Sequence, residues 1–164
     1  MDHHRGKYIS ESRVTLSALM GPQDANSQGN VHGGVIMKMV DEAGALAAMR
    51  HARTPVVTVA IDSMSFMEPI YVGNLVLCNA ELTYVGRTSM EVRVEVTAEH
   101  PLEGTSKITN IAYLVYVALD ANRHPTLVPE LIYETEMERD RAEEARERQT
   151  LRKRQRVQER NGGA

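Results

Sequence analysis

Asp41 lies inside a mostly apolar run, Val35-Ile36-Met37-Lys38-Met39-Val40-Asp41-Glu42-Ala43-Gly44-Ala45-Leu46-Ala47-Ala48-Met49. Apolar residues at 36, 39, 40, 43, 46 and 47 have the spacing of one helix face. Burying an unpaired charge costs several kcal/mol or shifts its pKa, so Asp41 needs a partner or a task. A carboxylate so placed can act as a general base on water or attack an electrophile itself. Its alternative is a surface carboxylate paired with Lys38, three residues earlier, which contributes little. The helix is entered from a polar loop, Asp24-Ala25-Asn26-Ser27-Gln28-Gly29-Asn30-Val31-His32-Gly33-Gly34. Backbone N–H groups around Gly33 and Gly34 open the helix unpaired and carry its positive dipole end. They can polarise a carbonyl, and glycine lets a ligand approach the backbone closely; one such donor is worth about 2.7–4 kcal/mol in a transition state. The same glycines also suit a plain turn before a helix. Asn26 suits a turn by its side-chain bonding, and Asn30 is a candidate N-cap. No nucleophile motif accompanies His32, which favours packing or ligand contact over proton transfer.

Those residues need a frame. The chain has 164 residues, a net charge of -3 and 42% hydrophobic residues, enough for one domain with a sizeable core. No apolar run approaches the roughly 20 residues of a membrane span, so a soluble globular protein is expected. Cys78 is the single cysteine and lies in the alternation of a candidate strand. With no basic-then-apolar layout at the N-terminus, a cytoplasmic setting fits. His3-His4 is too short to argue for a metal site or a tag. The other histidines are scattered and Cys78 has no thiol partner, so no metal set is expected.

A first strand is expected from Val14 to Met20, ending at Gly21-Pro22. The helix should stop between Met49 and Thr54, because Thr54-Pro55 disfavours the α region. Four further strands are expected over about 56–67, 74–85, 89–98 and 107–119. In the third of these four, Met90, Val92, Val94 and Val96 alternate with Glu91, Arg93, Glu95 and Thr97, the period of a sheet with one wet face. The short links Val72-Gly73-Asn74, Val85-Gly86-Arg87 and His100-Pro101-Leu102-Glu103-Gly104 predict antiparallel meanders. Strand, long helix, then four strands define an α+β class. A single helix covers one face of a five-stranded sheet, leaving the apolar runs 56–59 and 111–118 to be hidden by oligomerisation.

From Pro129 the composition turns Glu/Arg-rich. Glu138/Arg141, Glu143/Arg146 and Glu144/Arg148 have helical pair spacings, and acids precede bases as the helix dipole favours. A solvated helical tail that helps assembly is expected. Nucleic-acid binding is not, since aromatic residues are scarce and the balance is acidic.

The loop Asp-x-Asn-x-x-Gly-Asn-x-x-Gly-Gly followed by Met-x-Asp-Glu-x-Gly resembles the hotdog-fold acyl-CoA thioesterases, in their cytosolic long-chain acyl-CoA hydrolase branch. Val59-Ala60-Ile61-Asp62-Ser63-Met64-Ser65-Phe66-Met67-Glu68-Pro69-Ile70 is similar to that family's second strand and its exit. Val85-Gly86-Arg87-Thr88-Ser89-Met90 is similar to its coenzyme-lining hairpin. The resemblance implies a sheet wrapped around the long helix over residues 1–128, with 129–164 as an appended charged tail. It further implies a homo-oligomer, a dimer or a trimer of dimers, with each site at a subunit boundary. Such a site combines an Asn from the loop with an Asp from the neighbouring subunit's helix, by position Asn26 and Asp41. The activity implied is hydrolysis of fatty acyl-CoA to a free fatty acid and coenzyme A, with no cofactor. Asp41 would serve as base or nucleophile, Asn26 would orient water or the carbonyl, and Gly33 and Gly34 would polarise the thioester. Arg87 with the Thr88 and Ser89 hydroxyls is the best cluster for the coenzyme's phosphates, though it also suits a charged hairpin tip. Arg50, His51 and Arg53 suit the helix dipole. A non-catalytic acyl-CoA sensor or structural oligomer is the competing expectation. A hydratase on the same fold fits poorly, because Asp41 follows His32 and sits inside the helix.

Overall fold

Helix α1, Gly33–Ala52, buries Ile36, Val40, Ala43, Gly44, Ala47, Ala48, His51 and Ala52 along one stripe. Most of these are small, so the helix axis lies close to what it packs on. Of the six apolar positions expected on that stripe, 36, 40, 43 and 47 are buried. Met39 is half-buried and Leu46 is 41% exposed, because the observed stripe slants away from them. Arg53 ends the helix in the left-handed region at φ 59, its N–H bonded to the Met49 carbonyl, just before Thr54-Pro55. The computed structural model describes residues 6–162, with side chains through 159; His3-His4 lies outside them.

Five antiparallel strands, β2 Val14–Leu19, β3 Val56–Phe66, β4 Leu75–Val85, β5 Ser89–His100 and β6 Thr105–Ala118, form one sheet in the order β2-β4-β5-β6-β3. Each matches an expected strand to within about two residues at either end. β4, β5 and β6 are the expected meander, while β2 and β3, which flank α1 in sequence, go to opposite edges. α1 contacts all five strands, so the sheet wraps around it. Met90, Val92, Val94 and Val96 of β5 face α1 and are fully buried. A pairing not expected from sequence, β1 Lys7–Tyr8 with β7 Leu131–Ile132 in parallel, ties the two flanks of the domain together. Beside it, His51 contacts the Pro129 carbonyl through Nε2 at 2.8 Å.

The tail departs from expectation. Helix α2, Glu136–Gly162, is helical as expected but its first half is docked on the outer sheet face through Ala142 and Ala145, both buried. Its arginines reach across elements. Arg148 donates to Glu91 of β5 from Nη2 at 2.8 Å and from Nε at 3.3 Å, and stacks over the Tyr113 ring at 3.9 Å. Thr83 also donates to Glu91, at 2.8 Å. Arg141 pairs with Glu81, and Glu138 with Arg13 at 3.2 Å. Of the expected intrahelical pairs Glu144–Arg148 forms, at 3.8 Å. The face of β5 expected to be wet is therefore partly covered, and Glu91 is 2% exposed.

The expected uncovered surface narrows for the same reason. Residues 111–118 belong to an inner strand, where Ala112, Leu114, Tyr116 and Ala118 are fully buried. On edge strand β3, Val57, Val59, Ile61 and Phe66 remain exposed, as do Leu19 of β2, Ile108 of β6 and Met37, Leu46 and Met49 of α1. A long edge strand with exposed apolar residues is a template for pairing with another chain.

Two predictions follow from this packing. Arg148→Ala leaves the Glu91 carboxylate buried without its main partner and should cost about 3–5 kcal/mol; urea denaturation should show this, with α2 becoming protease-sensitive. The second concerns His51, whose ring is held below its ordinary pKa, first by burial, and whose Nδ1 has no partner to receive an added proton. The unfolded chain then binds the proton more readily, so this contribution is complete above about pH 6.5 and declines as pH falls from there toward the folded value. His51→Gln should flatten the pH dependence of the denaturation midpoint in that window.

Candidate active site

The loop before α1 is built by Asn26. Its Oδ1 accepts the Gln28 N–H at 2.9 Å and the Asn30 N–H at 3.2 Å, while its own N–H donates to the Asn30 carbonyl at 2.7 Å. The turn-forming role is thus real, and it uses only half of the amide. Asn26 Nδ2 has no partner among the described residues, so the turn itself aims a free donor outward. Helix α1 is capped not by Asn30 but by His32, whose Nδ1 accepts the Gly34 N–H at 3.0 Å. Gly34 is therefore occupied as a donor in this arrangement. The Gly33 N–H takes no partner among the described residues, and Gly33 lines a cleft of about 270 Å³ together with Asn26, Phe66, Met67 and Asn110. Asn110 was not singled out from sequence; it is fully buried, donates Nδ2 to the Ser65 carbonyl at 3.1 Å, and leaves Oδ1 without a partner.

Asp41 lies two turns further along α1, about 12 Å from Gly33 at 1.5 Å per residue, and is not part of that cleft. One chain brings Asn26 and Gly33 together but not Asn26 and Asp41. The carboxylate does not pair with Lys38, which instead meets Glu42 at 3.5 Å. Asp41 Oδ1 accepts from Thr58 Oγ1 at 2.8 Å and from the Tyr116 hydroxyl at 3.2 Å, and that hydroxyl also reaches the Asp41 carbonyl at 3.0 Å. Burial, then the Asp41 charge, push the Tyr116 phenol well above its usual range, so it remains a donor. Oδ2 has no protein partner among the described residues. One oxygen is fixed and the other is open.

Gly44 makes the Tyr116 contact possible: a methyl at that position would overlap the phenol oxygen. Thr58 and Tyr116 were missed from sequence because each lies on a strand apart from Asp41 in the chain, and Thr58 sits in an apolar run without an alternation to mark its face. The hairpin cluster is divided. Arg87 lines one cleft with Leu127, Val128 and Glu130, whereas Ser89 lines another with residues of α2.

Residues 28–105 match the profile of the Thioesterase superfamily. The chain is 35% identical over 138 residues to the uncharacterized acyl-CoA thioester hydrolase YkhA of Bacillus subtilis, covering 84% of this chain and 80% of that one. It is 37% identical over 153 residues to the mouse cytosolic acyl coenzyme A thioester hydrolase, covering 88% of this chain but 39% of the relative, so it spans about two fifths of that longer protein. Among solved structures, the acyl-CoA hydrolase of Staphylococcus aureus in complex with butyryl coenzyme A, coenzyme A and coenzyme A disulfide superposes with a TM-score of 0.88 at 33% identity, over 95% of each chain. Variants of that hydrolase with one Asp, one Asn or one Thr replaced by Ala are also similar, as is a hexameric acyl-CoA thioesterase, at a TM-score of 0.89. The sheet wrapped around one long helix and these similarities together define the class: the chain belongs to the hotdog-fold acyl-CoA thioester hydrolase family.

If the phenol of Tyr116 is what occupies the space beside Gly44, Gly44→Ala should cost about 1–3 kcal/mol through overpacking, despite the gain of about 1 kcal/mol in helix propensity. Adding Tyr116→Phe should recover most of that cost in a urea-denaturation cycle. A double variant no more stable than Gly44→Ala alone would place the clash elsewhere.

Proposed function

We infer that this chain is an acyl-CoA thioester hydrolase whose site is shared between two copies. The observation that carries the reading is the half-used state of its polar groups. Asn26 Nδ2, the Gly33 N–H and Asp41 Oδ2 are unpartnered among the described residues, each beside a partner atom that is firmly held. Hydrolysis of a thioester needs donors where negative charge develops on the carbonyl oxygen and a group that delivers an oxygen nucleophile. Gly33 N–H and Asn26 Nδ2 supply the first from one subunit. Asp41 Oδ2 supplies the second from the neighbour, by taking a proton from the attacking water or by attacking the carbonyl itself. The C–S bond then breaks, and the thiolate of coenzyme A leaves and is protonated; on the direct-attack route a water then cleaves the acyl–Asp41 anhydride, releasing the acid and restoring the carboxylate.

Thr58 and Tyr116 are positioning residues in this scheme. They fix Oδ1, and with it the direction of Oδ2, for a small entropic cost at the moment of reaction. The three positions varied to alanine in the Staphylococcus aureus hydrolase stand in the order and at the spacing of Asn26, Asp41 and Thr58, which supports these assignments. The apolar edge of β3 supports pairing with a second copy, and assembly to a hexamer is in keeping with the hexameric relative. Arg87, with Thr88 nearby, serves the coenzyme from the hairpin. A cytoplasmic place in fatty acid metabolism agrees with the cytosolic relatives and with Cys78, which is buried and pushed up to about 12 by that burial. Among the described residues no helix is long and apolar enough to cross a membrane.

Asp41→Asn and Asn26→Ala should each lower kcat by about 10²-fold or more with fold and assembly intact. Mixing the two inactive proteins under conditions of subunit exchange should restore part of the activity, since a mixed dimer has one site with both residues. No recovery, with exchange verified by mass spectrometry, rejects the shared site; full activity in Asp41→Asn rejects the mechanism.

A further inference from the structure

The inner face of β6 carries Asn110, Ala112, Leu114 and Tyr116, all fully buried. The last three belong to the apolar core, and Tyr116 also bonds Asp41; packing does not account for Asn110. It stands next to a bulge. Val96 of β5 opposes Asn110 and Thr97 opposes Ile108, which leaves Thr109 as the extra residue, and bulges beside a site commonly re-aim a side chain. The amide has one orientation, because Nδ2 meets the Ser65 carbonyl at 3.1 Å and a carbonyl only accepts. Oδ1 is then the atom left over, buried and without a partner among the described residues, on a residue that lines the Gly33 cleft. The rest of the cleft wall brings it no donor. Ile36, Phe66 and Ile70 are apolar, Glu68 is paired with Lys107 at 2.8 Å, and Asn26 and Asn30 are half-buried residues of the loop. A buried acceptor with no donor is costly, so the cleft fits an occupant that carries one.

We propose that Asn110 is a specificity-determining residue: its Oδ1 accepts a hydrogen bond from a hydroxyl on the acyl group, and the preferred substrates are hydroxyacyl thioesters of coenzyme A. The proposal rests on the reading of the chain as an acyl-CoA hydrolase with a shared site, and it names the substrate class. The order of parts along β3 decides which portion of the substrate lies here. Val57 and Ser89 both pair with Val117 at the hairpin end of the sheet, whereas Phe66 pairs with Asn110 at the other end, about 30 Å away at roughly 3.3 Å per residue. Asp41, held by Thr58, belongs to the hairpin end. When the neighbour's Asp41 meets Gly33, the neighbour's hairpin end comes with it, so the coenzyme arm reaches the thioester from that side and the acyl group extends into the cleft. A saturated acyl chain has no donor and leaves Oδ1 bare. A hydroxyl satisfies it while the apolar wall takes the carbon skeleton, and a site built to bond a hydroxyl discriminates against the analogue that lacks it.

The test compares matched pairs, 3-hydroxybutyryl-CoA with butyryl-CoA and 6-hydroxyhexanoyl-CoA with hexanoyl-CoA, in wild type and in Asn110→Leu, which keeps a branched side chain and removes the acceptor. In wild type kcat/KM should favour the hydroxylated member of at least one pair by about tenfold or more. In Asn110→Leu that ratio should fall below one as hydrolysis of the plain thioester rises, which also shows that the variant is folded. Wild type with no preference, or with a preference for the plain member of both pairs, overturns the proposal whether or not the variant folds. A loss in Asn110→Leu that is equal for both members, leaving the ratio unchanged, also overturns it and gives Oδ1 to the coenzyme arm's amide N–H or to a water. If wild type hydrolyses none of the four thioesters, the hydrolase reading falls, and calorimetry with non-cleavable thioether analogues of the same pairs decides the contact. Tighter binding of the hydroxylated thioether by wild type, lost in the variant, keeps the acyl contact; equal binding overturns it.

Discussion

The close approach of α1 to β6 is the contact on which the rest depends. Ala43, Gly44, Ala47 and Ala48 present almost no side-chain bulk to the sheet, so the Tyr116 phenol can cross to the helix and bond the backbone and carboxylate of Asp41. A helix with larger residues there would stand further off, and Asp41 would lose one of its two fixed donors. The same small residues let five strands curl around a single helix while keeping Met90, Val92, Val94 and Val96 in contact with it. Core packing and the placement of the Asp41 carboxylate are one geometric condition.

The outer sheet face is organised by a different interaction. Where α1 packs through small apolar residues, α2 docks through two alanines and a set of ion pairs at Glu81, Glu91 and Glu138. Ion pairs cost desolvation and offer modest net stability. They do specify register, because Arg141 and Arg148 meet their carboxylates only at one longitudinal position of the helix. That register is what sets Lys153 and Arg156 beside Ser89.

Polar groups near the loop are used economically. Asn26 forms a turn with its carbonyl and keeps its amide free; His32 caps Gly34 and leaves Gly33 open; Asp41 is held by one oxygen. In each case the constrained atom fixes the direction of the free one, which is how a short loop and a helix can hold functional groups without extra supporting elements. The distance along α1 between Gly33 and Asp41 is the reason a single copy leaves these groups in separate places.

Much of this was legible along the chain. The five strands and α1 were readable because each carries its own period and ends at Gly, Pro or Asx signals, and the Asn26 loop and Asp41 stood out because a polar loop opening an apolar helix is unusual. What a linear pattern could not convey were interactions between distant elements. Glu91 reads as the wet side of an alternating strand until α2 folds over it; Arg148 reads as an i,i+4 partner of Glu144 until Glu91 offers it a buried carboxylate. Thr58 and Tyr116 have ordinary strand identities, and their meeting at Asp41 follows from β3 and β6 being neighbours beneath the helix. Local sequence determined the elements, their ends and the loop chemistry, since those depend on backbone preferences and residue spacing. Tertiary structure alone decided which donors hold Asp41 and that the charged tail is part of the domain, because each depends on the distance between groups that only packing brings together.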